Sequence, residues 1–354
     1  MLNYRDGLAS MPRYDPRELD WRIKVNANES NIGLPPLVEE RIMSRLSRVA
    51  FARYPDEEYN LLCEQIGEVY GYHPENIIIG NGSSEIIEKV FYAFGGNREH
   101  RIVYPSPSFS MYAIYAAAAD ATGVPVPLQS DYQLDVEDFV QQVNQSRASL
   151  AVICNPNNPT GQVLTEEEIE YIASHISCAF LVDEAYAEFC EHSVILLLKK
   201  YPHMMVARTF SKAYALASCR VGYMLAHENV INMLAKTYMP YHMNVPSLVI
   251  ADTVFQMRTE FEPQIQMICA ERERMQERYQ ALTGLTVYPS HANFLLIHYA
   301  QAEALNEDLI RYGIGVRSFG KAPGLENMLR ISIGRADQND EVYRIIKAFV
   351  EGHS

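Results

Sequence analysis

The chain has 354 residues, 48% of them hydrophobic, with 18 glycines and 18 prolines, a composition that excludes a disordered or fibrous protein. Its formal net charge of −14 excludes the positive footprint that nucleic acid or an anionic membrane surface requires, so small molecules are the expected partners. The length exceeds what a single hydrophobic core organises, so a large domain, a smaller one and a cleft between them are expected.

At the N-terminus, Arg5, Asp6, Arg13 and Asp15 stand among few apolar residues, and no 18-residue apolar run follows. A soluble, cytoplasmic protein is expected, without a signal peptide or membrane span. The six cysteines, Cys63, Cys154, Cys178, Cys190, Cys219 and Cys269, include no C-x-x-C pair. No zinc or redox site is suggested, and buried, reduced thiols are expected.

From about residue 75, short apolar runs alternate with turns rich in Gly, Pro, Ser or Asn and with helical stretches. That alternation predicts an α/β fold with a mostly parallel sheet. The predicted strands are Ile77 to Ile79, Ile102 to Tyr104, Leu150 to Cys154, Ala179 to Val182, Met204 to Thr209 and Val221 to Leu225. Helices are predicted at Glu85 to Phe94, at Phe109 to Ala119, and from Thr165, where Thr165 and Glu168 form a capping box and Glu166 to Glu168 a solvated first turn. Beyond Glu228 the pattern turns helical, with a long charged helix at Phe261 to Leu282, and then shows strands at Thr286 to Tyr288, Asn293 to His298 and Leu329 to Ile333. The expected division is an N-terminal segment 1–35 packing with the small domain, a large domain 36–240 and a small C-terminal α/β domain 241–354.

Four strand-end motifs carry candidate chemistry. Ile79-Gly80-Asn81-Gly82-Ser83-Ser84-Glu85 is a strand, a glycine-rich turn and a helix start, a geometry that aims backbone N–H groups at a phosphate; many ordinary strand-to-helix turns share that composition. Cys154-Asn155-Pro156-Asn157-Asn158-Pro159-Thr160-Gly161 is a stiff loop after a strand, also readable as a plain turn. Phe180-Leu181-Val182-Asp183-Glu184-Ala185-Tyr186 ends a strand in an acid, where α/β sheets bind ligands. Asp183 suits either a helix N-cap or the carboxylate that faces the ring nitrogen of pyridoxal 5'-phosphate (PLP), with Tyr186 near the ring hydroxyl. Finally, Thr209-Phe210-Ser211-Lys212 presents a lysine directly after a hydroxyl residue at a strand end, with Arg220 eight residues on. A lysine alone is as readily a surface residue. Arg220 and Ser211 suit a phosphate as charge-assisted donors.

Taken together with Val25-Asn26-Ala27-Asn28-Glu29-Ser30, Arg53-Tyr54-Pro55-Asp56, Tyr104-Pro105-Ser106-Pro107-Ser108-Phe109-Ser110-Met111-Tyr112 and Leu329-Arg330-Ile331-Ser332-Ile333-Gly334, these motifs follow one order over residues 22–350. In that order the chain resembles the fold type I PLP-dependent aminotransferases, and among them the histidinol-phosphate aminotransferases. The resemblance implies that Lys212 anchors the cofactor covalently and acts as general base, and that Asp183 pairs with the ring nitrogen. It also implies that Asn158 and Tyr186 bond the ring oxygen and that Phe109 stacks on the ring. Ser83, Ser84, Thr209, Ser211 and Arg220 would hold the phosphate, joined by Tyr54 from the second subunit of a homodimer with shared active sites. On the substrate side it implies Arg330 for the acid group, Arg317 for the substrate phosphate and Asn28 in the segment over the substrate. Arg317 also suits an exposed salt bridge.

The implied reaction passes the amino group of a small-molecule donor to a 2-oxo acid: histidinol phosphate and 2-oxoglutarate give imidazole acetol phosphate and glutamate, a step of histidine biosynthesis. The stretch after Asn28 lacks the Pro and aromatic residue often found in the family after its Glu. Aromatic amino-acid aminotransferases and threonine-phosphate decarboxylases share every cofactor residue and stay open as alternatives. A non-catalytic regulator would need a DNA-binding module, for which the motifs begin too close to the N-terminus.

Overall fold

A computed structural model describes residues 19–55, 57–190 and 192–352. The first 18 residues of the predicted N-terminal segment, and Asp56 of the Arg53-to-Asp56 motif, lie outside the described residues. The chain enters through β1 (Ile23–Lys24), followed by α1 (Pro36–Leu46), α2 (Glu57–Tyr70), β2 (Ile77–Gly80), α3 (Ser83–Phe94), β3 (Arg101–Ser106), α4 (Met111–Ala118) and β4 (Thr122–Pro127). It continues through α5 (Val136–Ser146), β5 (Leu150–Cys154), α6 (Glu166–His175), β6 (Ala179–Asp183), β7 (Met204–Thr209), β8 (Gly222–Ala226), α7 (Glu228–Ala235) and α8 (Val245–Gln256). The last part holds α9 (Glu262–Gln280), β9 (Leu285–Val287), β10 (Phe294–Tyr299), α10 (Ala302–Arg311), β11 (Ile314–Gly315), β12 (Arg317–Ser318), β13 (Met328–Ser332) and α11 (Ala336–Gly352).

Seven strands form the large sheet in the order β2-β8-β7-β6-β5-β3-β4. Only β8 runs antiparallel to its neighbours, so the mostly parallel sheet is as the apolar runs predict. Strands β5, β7 and β8 are buried along their whole length, which is why they read as continuous apolar runs rather than alternating ones. The unpredicted β4 is a half-exposed edge strand containing two prolines, tolerated there because an edge leaves N–H groups unpaired. The capping box at α6 is present, with Glu168 N–H donating to Thr165 and Thr165 N–H to Glu168.

The C-terminal part carries an antiparallel sheet in the order β12-β13-β10-β9, and β1 pairs with β11 in parallel. That pairing sets Ile23–Lys24 beside Ile314–Gly315, between α10 and β12 in the chain. Helix α8 begins beyond residue 240, yet Leu248, Ala251, Val254 and Phe255 are buried in the same cluster as Leu62 and Ile66 of α2 and Phe210 after β7. A second cluster runs from Ile86, Val90 and Phe91 of α3 through Val25 to Phe294, Ile331 and Ile345, so the two parts share one core. Each such large apolar side chain, fully buried, contributes about 1.5–3 kcal/mol; in α3 this seats the helix start against the sheet. Cys63 and Cys154 are buried thiols as expected, whereas Cys178, Cys190, Cys219 and Cys269 are only half-buried; all six are free.

Candidate active site

Parallel strands end side by side, and the loops that leave them meet. Cys154 at the end of β5 pairs with Asp183 at the end of β6, which pairs with Ala207 near the end of β7. Thr209, Gly222 and Gly80 continue the row through β8 to β2. The four strand-end motifs therefore lie along one edge of the sheet, although up to 132 positions separate Gly80 from Lys212 in the chain.

At the β2 end, Gly82 precedes α3 with φ 83° and no side-chain cap, leaving the first N–H groups of the helix to an outside acceptor. A side chain has no room there: a Cβ on Gly82 would lie 2.5 Å from Arg220 Nη2, and one on Gly222 would lie 2.3 Å from Ser83 N. Arg220 Nη1 donates to Ser211 Oγ at 3.4 Å and to Ala217 O at 3.1 Å, and Ser211 N donates to Thr209 Oγ1 at 3.1 Å. Helix N-terminus, two hydroxyls and a guanidinium thus share one corner with the charge and donors an anion requires.

Beside this corner, Asp183 is 3% exposed. Its Oδ2 accepts from Tyr112 Oη at 2.9 Å and its Oδ1 from Ala185 N at 3.2 Å, so the N-cap-like contact and the strand-end acid are both present. Burial pushes its carboxyl up to about 6, and the Tyr112 and Ala185 donors oppose that rise. Lys212 Nζ donates to Ala27 O at 2.9 Å and lies 5.9 Å from the centre of the Tyr186 ring. Burial first, then the positive Arg330 and Arg220, brings its amine down to about 7, against the pull of Glu29 and Asp183. A lysine that is a free base near neutrality is a nucleophile and a base rather than a surface cation.

Tyr186 is buried against Phe294, with ring centroids 5.2 Å apart, and burial raises its phenol. Its hydroxyl accepts from Asn28 Nδ2 at 2.9 Å and from Asn158 Nδ2 at 3.2 Å. Asn158 Oδ1 in turn accepts from Arg330 Nη1, whose Nη2 donates to Asn26 O at 2.8 Å. Hydrogen bonds thereby join Tyr186, Asn158, Arg330 and Asn28, with Lys212 beside the Tyr186 ring and Asp183 within electrostatic reach of Lys212. Phe109, half-buried, enters its edge 5.5 Å from Tyr112. Arg317 is exposed and lies opposite Arg330 in the β12–β13 register; its guanidinium stands over Phe319 at 5.8 Å. Tyr54 stands apart at the surface, 76% exposed and stacked on Tyr241 at 4.6 Å.

Several supporting residues escape a reading of motifs. Tyr112 holds Asp183. Ser332 accepts from Asn28 N and donates to Asn28 Oδ1, both at 2.9 Å, and Asn293 Nδ2 donates to Asn28 O at 3.1 Å, which fixes Asn28 in its left-handed conformation at φ 55°. Arg208, 7% exposed, bonds Glu184 Oε2 through Nε and Nη2 at 2.9 and 2.7 Å and Glu188 at 3.1 Å, pinning the turn that carries Tyr186. Tyr112 and Ser332 sit inside quoted motifs, but nothing in those motifs names their partners.

The family described as Aminotransferase class I and II matches residues 19–346. A protein from Thermoanaerobacter pseudethanolicus named histidinol-phosphate aminotransferase is 36% identical over 343 residues, 97% of each chain. Among solved structures, the histidinol-phosphate aminotransferase of Sinorhizobium meliloti, in complex with pyridoxal-5'-phosphate, superposes with a TM-score of 0.91 at 24% identity, covering 100% of this chain and 99% of that one. The histidinol-phosphate aminotransferase of Clostridium acetobutylicum gives a TM-score of 0.86 at 23% identity over 93% of this chain and 99% of that chain. At that level of identity the two structures establish the shared fold.

Proposed function

This chain belongs to the class I and II aminotransferase family, and from that premise we propose that it is a PLP-dependent transaminase. In the proposed reaction the amino group of histidinol phosphate passes to 2-oxoglutarate, giving imidazole acetol phosphate and glutamate in histidine biosynthesis. The observation that carries the reading is the meeting of a low-pKa lysine, Lys212, and a buried carboxylate, Asp183, beside an uncapped helix start. The donor set fits PLP: the corner at Gly82 and Gly222, where a Cβ would collide, suits its phosphate, with Ser83, Ser84, Thr209, Ser211 and Arg220 as holders. Lys212 supplies the amine for covalent attachment, Asp183 the partner of the ring nitrogen, Asn158 and Tyr186 the partners of the ring oxygen, and Phe109 an aromatic face. Bound there, PLP supplies an aldehyde that carries the amino group and a ring that withdraws electrons.

The protein's own residues do the rest. Lys212 Nζ, whose amine burial and the neighbouring guanidiniums lower toward neutrality, takes the proton from the substrate Cα and returns it in the course of the transfer. Asp183 offsets positive charge on the ring nitrogen. Arg330 grips the acid group of the substrate, and Arg317, facing it from the next strand, completes a pair of guanidiniums suited to a phosphate dianion. The relatives named histidinol-phosphate aminotransferase, matched along 97% of the chain, support that donor over an aromatic amino acid or threonine phosphate.

The active form in this reading is a homodimer in which Tyr54 reaches the phosphate of the partner's site. Phe51, Tyr54 and Met239 are 76–77% exposed and Tyr241 is 56% exposed, the kind of apolar surface that marks an interface. No helix among the described residues is long and apolar enough to cross a membrane; the bacterial relatives named histidinol-phosphate aminotransferase support a cytoplasmic location. The test is a donor panel on PLP-loaded protein: histidinol phosphate, phenylalanine, tyrosine and threonine phosphate, each mixed in a single turnover. Conversion of the cofactor from its aldehyde to its amine absorbance should be fastest with histidinol phosphate. No turnover of that donor refutes the substrate assignment, and carbon dioxide release from threonine phosphate would replace it with a decarboxylase.

A further inference from the structure

Among the described residues Asp183 is the carboxylate that stands at a strand end of the site, and it is buried where an ionised group needs a donor to survive. Backbone Ala185 N supplies one donor to Oδ1 at 3.2 Å; the other oxygen receives the hydroxyl of Tyr112, at 2.9 Å. Tyr112 is 0% exposed. Its ring is boxed by Phe91 at 6.0 Å, Tyr104 at 6.1 Å and Phe109 at 5.5 Å, which holds its hydroxyl between Asp183 and the Cys154 thiol. Tyr112 N also donates to Phe109 O at 3.0 Å, so one turn of chain carries both Phe109 and the group that holds Asp183.

We propose that Tyr112 is a positioning residue that donates its hydroxyl proton to Asp183, keeping that carboxylate ionised and oriented to accept from the ring nitrogen of PLP. The proposal rests on the PLP reading of the site. The titratable groups within reach of Asp183 are Tyr112 and Tyr115 from α4, Cys154 from the neighbouring strand β5, Tyr186 from the turn after β6, Lys212 from the loop after β7, and Glu184 next to it in its own chain. Burial raises the phenols of Tyr115 and Tyr186, and Tyr186 is bonded to Asn28 and Asn158. Cys154 and Tyr112 are buried and hold their protons. Glu184 is bound to Arg208 and Ser193. Lys212 is committed to covalent attachment in the loaded enzyme, so Tyr112 is the side-chain donor left to Asp183. With the carboxyl already lifted to about 6, losing this hydrogen bond moves it toward the protonated form at neutral pH. A protonated carboxyl no longer balances a positive ring nitrogen.

The experiment compares two ligands in titrations of cofactor-free protein followed by visible absorbance: PLP, and the carbocyclic analogue in which C–H replaces the ring nitrogen. The wild-type protein should bind PLP more tightly. In Tyr112→Phe that preference should shrink about 10- to 100-fold, the range of a hydrogen bond to a charged group, while affinity for the analogue changes less than about 2-fold. A preference that survives Tyr112→Phe unchanged overturns the role of Tyr112 and leaves the PLP site standing. No preference in the wild-type protein overturns the pairing of Asp183 with the ring nitrogen and the proposal with it. If Tyr112→Phe does not fold, replacing Tyr112 by 4-aminophenylalanine sets a weaker donor in the same place. An intermediate preference then supports the proposal, and an unchanged one overturns it.

Discussion

Removing Arg317 tests the substrate assignment most directly. Arg317 and Arg330 are opposite one another across an antiparallel pair, so their side chains leave the same face of the sheet from Cα atoms about 4.5–5.5 Å apart. Two cations so placed repel each other in the ligand-free protein, and a bound dianion turns the same pair into two attractive contacts. A charge-assisted hydrogen bond contributes roughly 1.5–3 kcal/mol. Arg317 is exposed while Arg330 is 8% exposed, so solvent screening puts Arg317 at the lower end of that range, about 1.5 kcal/mol or roughly 10-fold. Single-turnover amino transfer measured with histidinol phosphate and with phenylalanine separates this contact from any general damage. Arg317→Ala should lose about 10-fold in apparent affinity for the phosphorylated donor and less than about 2-fold for phenylalanine. The thermal midpoint of the ligand-free variant should hold or rise, because a like-charge pair has been removed. Equal losses with both donors, or a fall in thermal midpoint large enough to account for them, would refute the reasoning.

Two further outcomes follow from the site. Lys212 titrates near 7 when folded and near 10.5 when unfolded, so the unfolded chain binds the extra proton between those values and folding gains stability as pH rises through that window. Lys212→Met should therefore raise the thermal midpoint of the cofactor-free protein most below pH 7, with the gain shrinking toward pH 10.5; a pH-independent difference contradicts the depressed amine. Tyr54→Phe should weaken PLP retention, and mixing subunits that carry Tyr54→Phe with subunits that carry Lys212→Ala should build one intact site per mixed dimer. Failure of such mixtures to recover any activity or retention places the Tyr54 contact within its own subunit or nowhere at the phosphate.

Much of the large sheet was legible because its strands are buried on both faces and so read as short apolar runs; Leu150–Cys154 and Met204–Thr209 have the ends that the sequence predicts. The edge strand β4 and the two-residue strands were not. β4 carries prolines and half-exposed residues, and β11 and β12 are too short to show any period. Helix α8 reads from the sequence as the opening of the small domain because it follows the last large strand, whereas packing joins its apolar face to α2.

The sequence alone determined which groups stand at strand ends, because a strand-end motif is local: the glycine-rich turn, the acid that closes an apolar run and the Ser-Lys step each declare their chemistry within a few residues. Tertiary structure decided what those groups are. Tyr112 reaches Asp183 across 71 positions, Asn28 reaches Tyr186 across 158, and Arg330 reaches Asn158 across 172. The lowered amine of Lys212 and the raised carboxyl of Asp183 arise first from burial, and burial belongs to the packed chain. Hydrogen bonding, desolvation and charge act over a few ångströms, whatever the distance along the chain, so only folding brings them to bear on residues that the sequence keeps far apart.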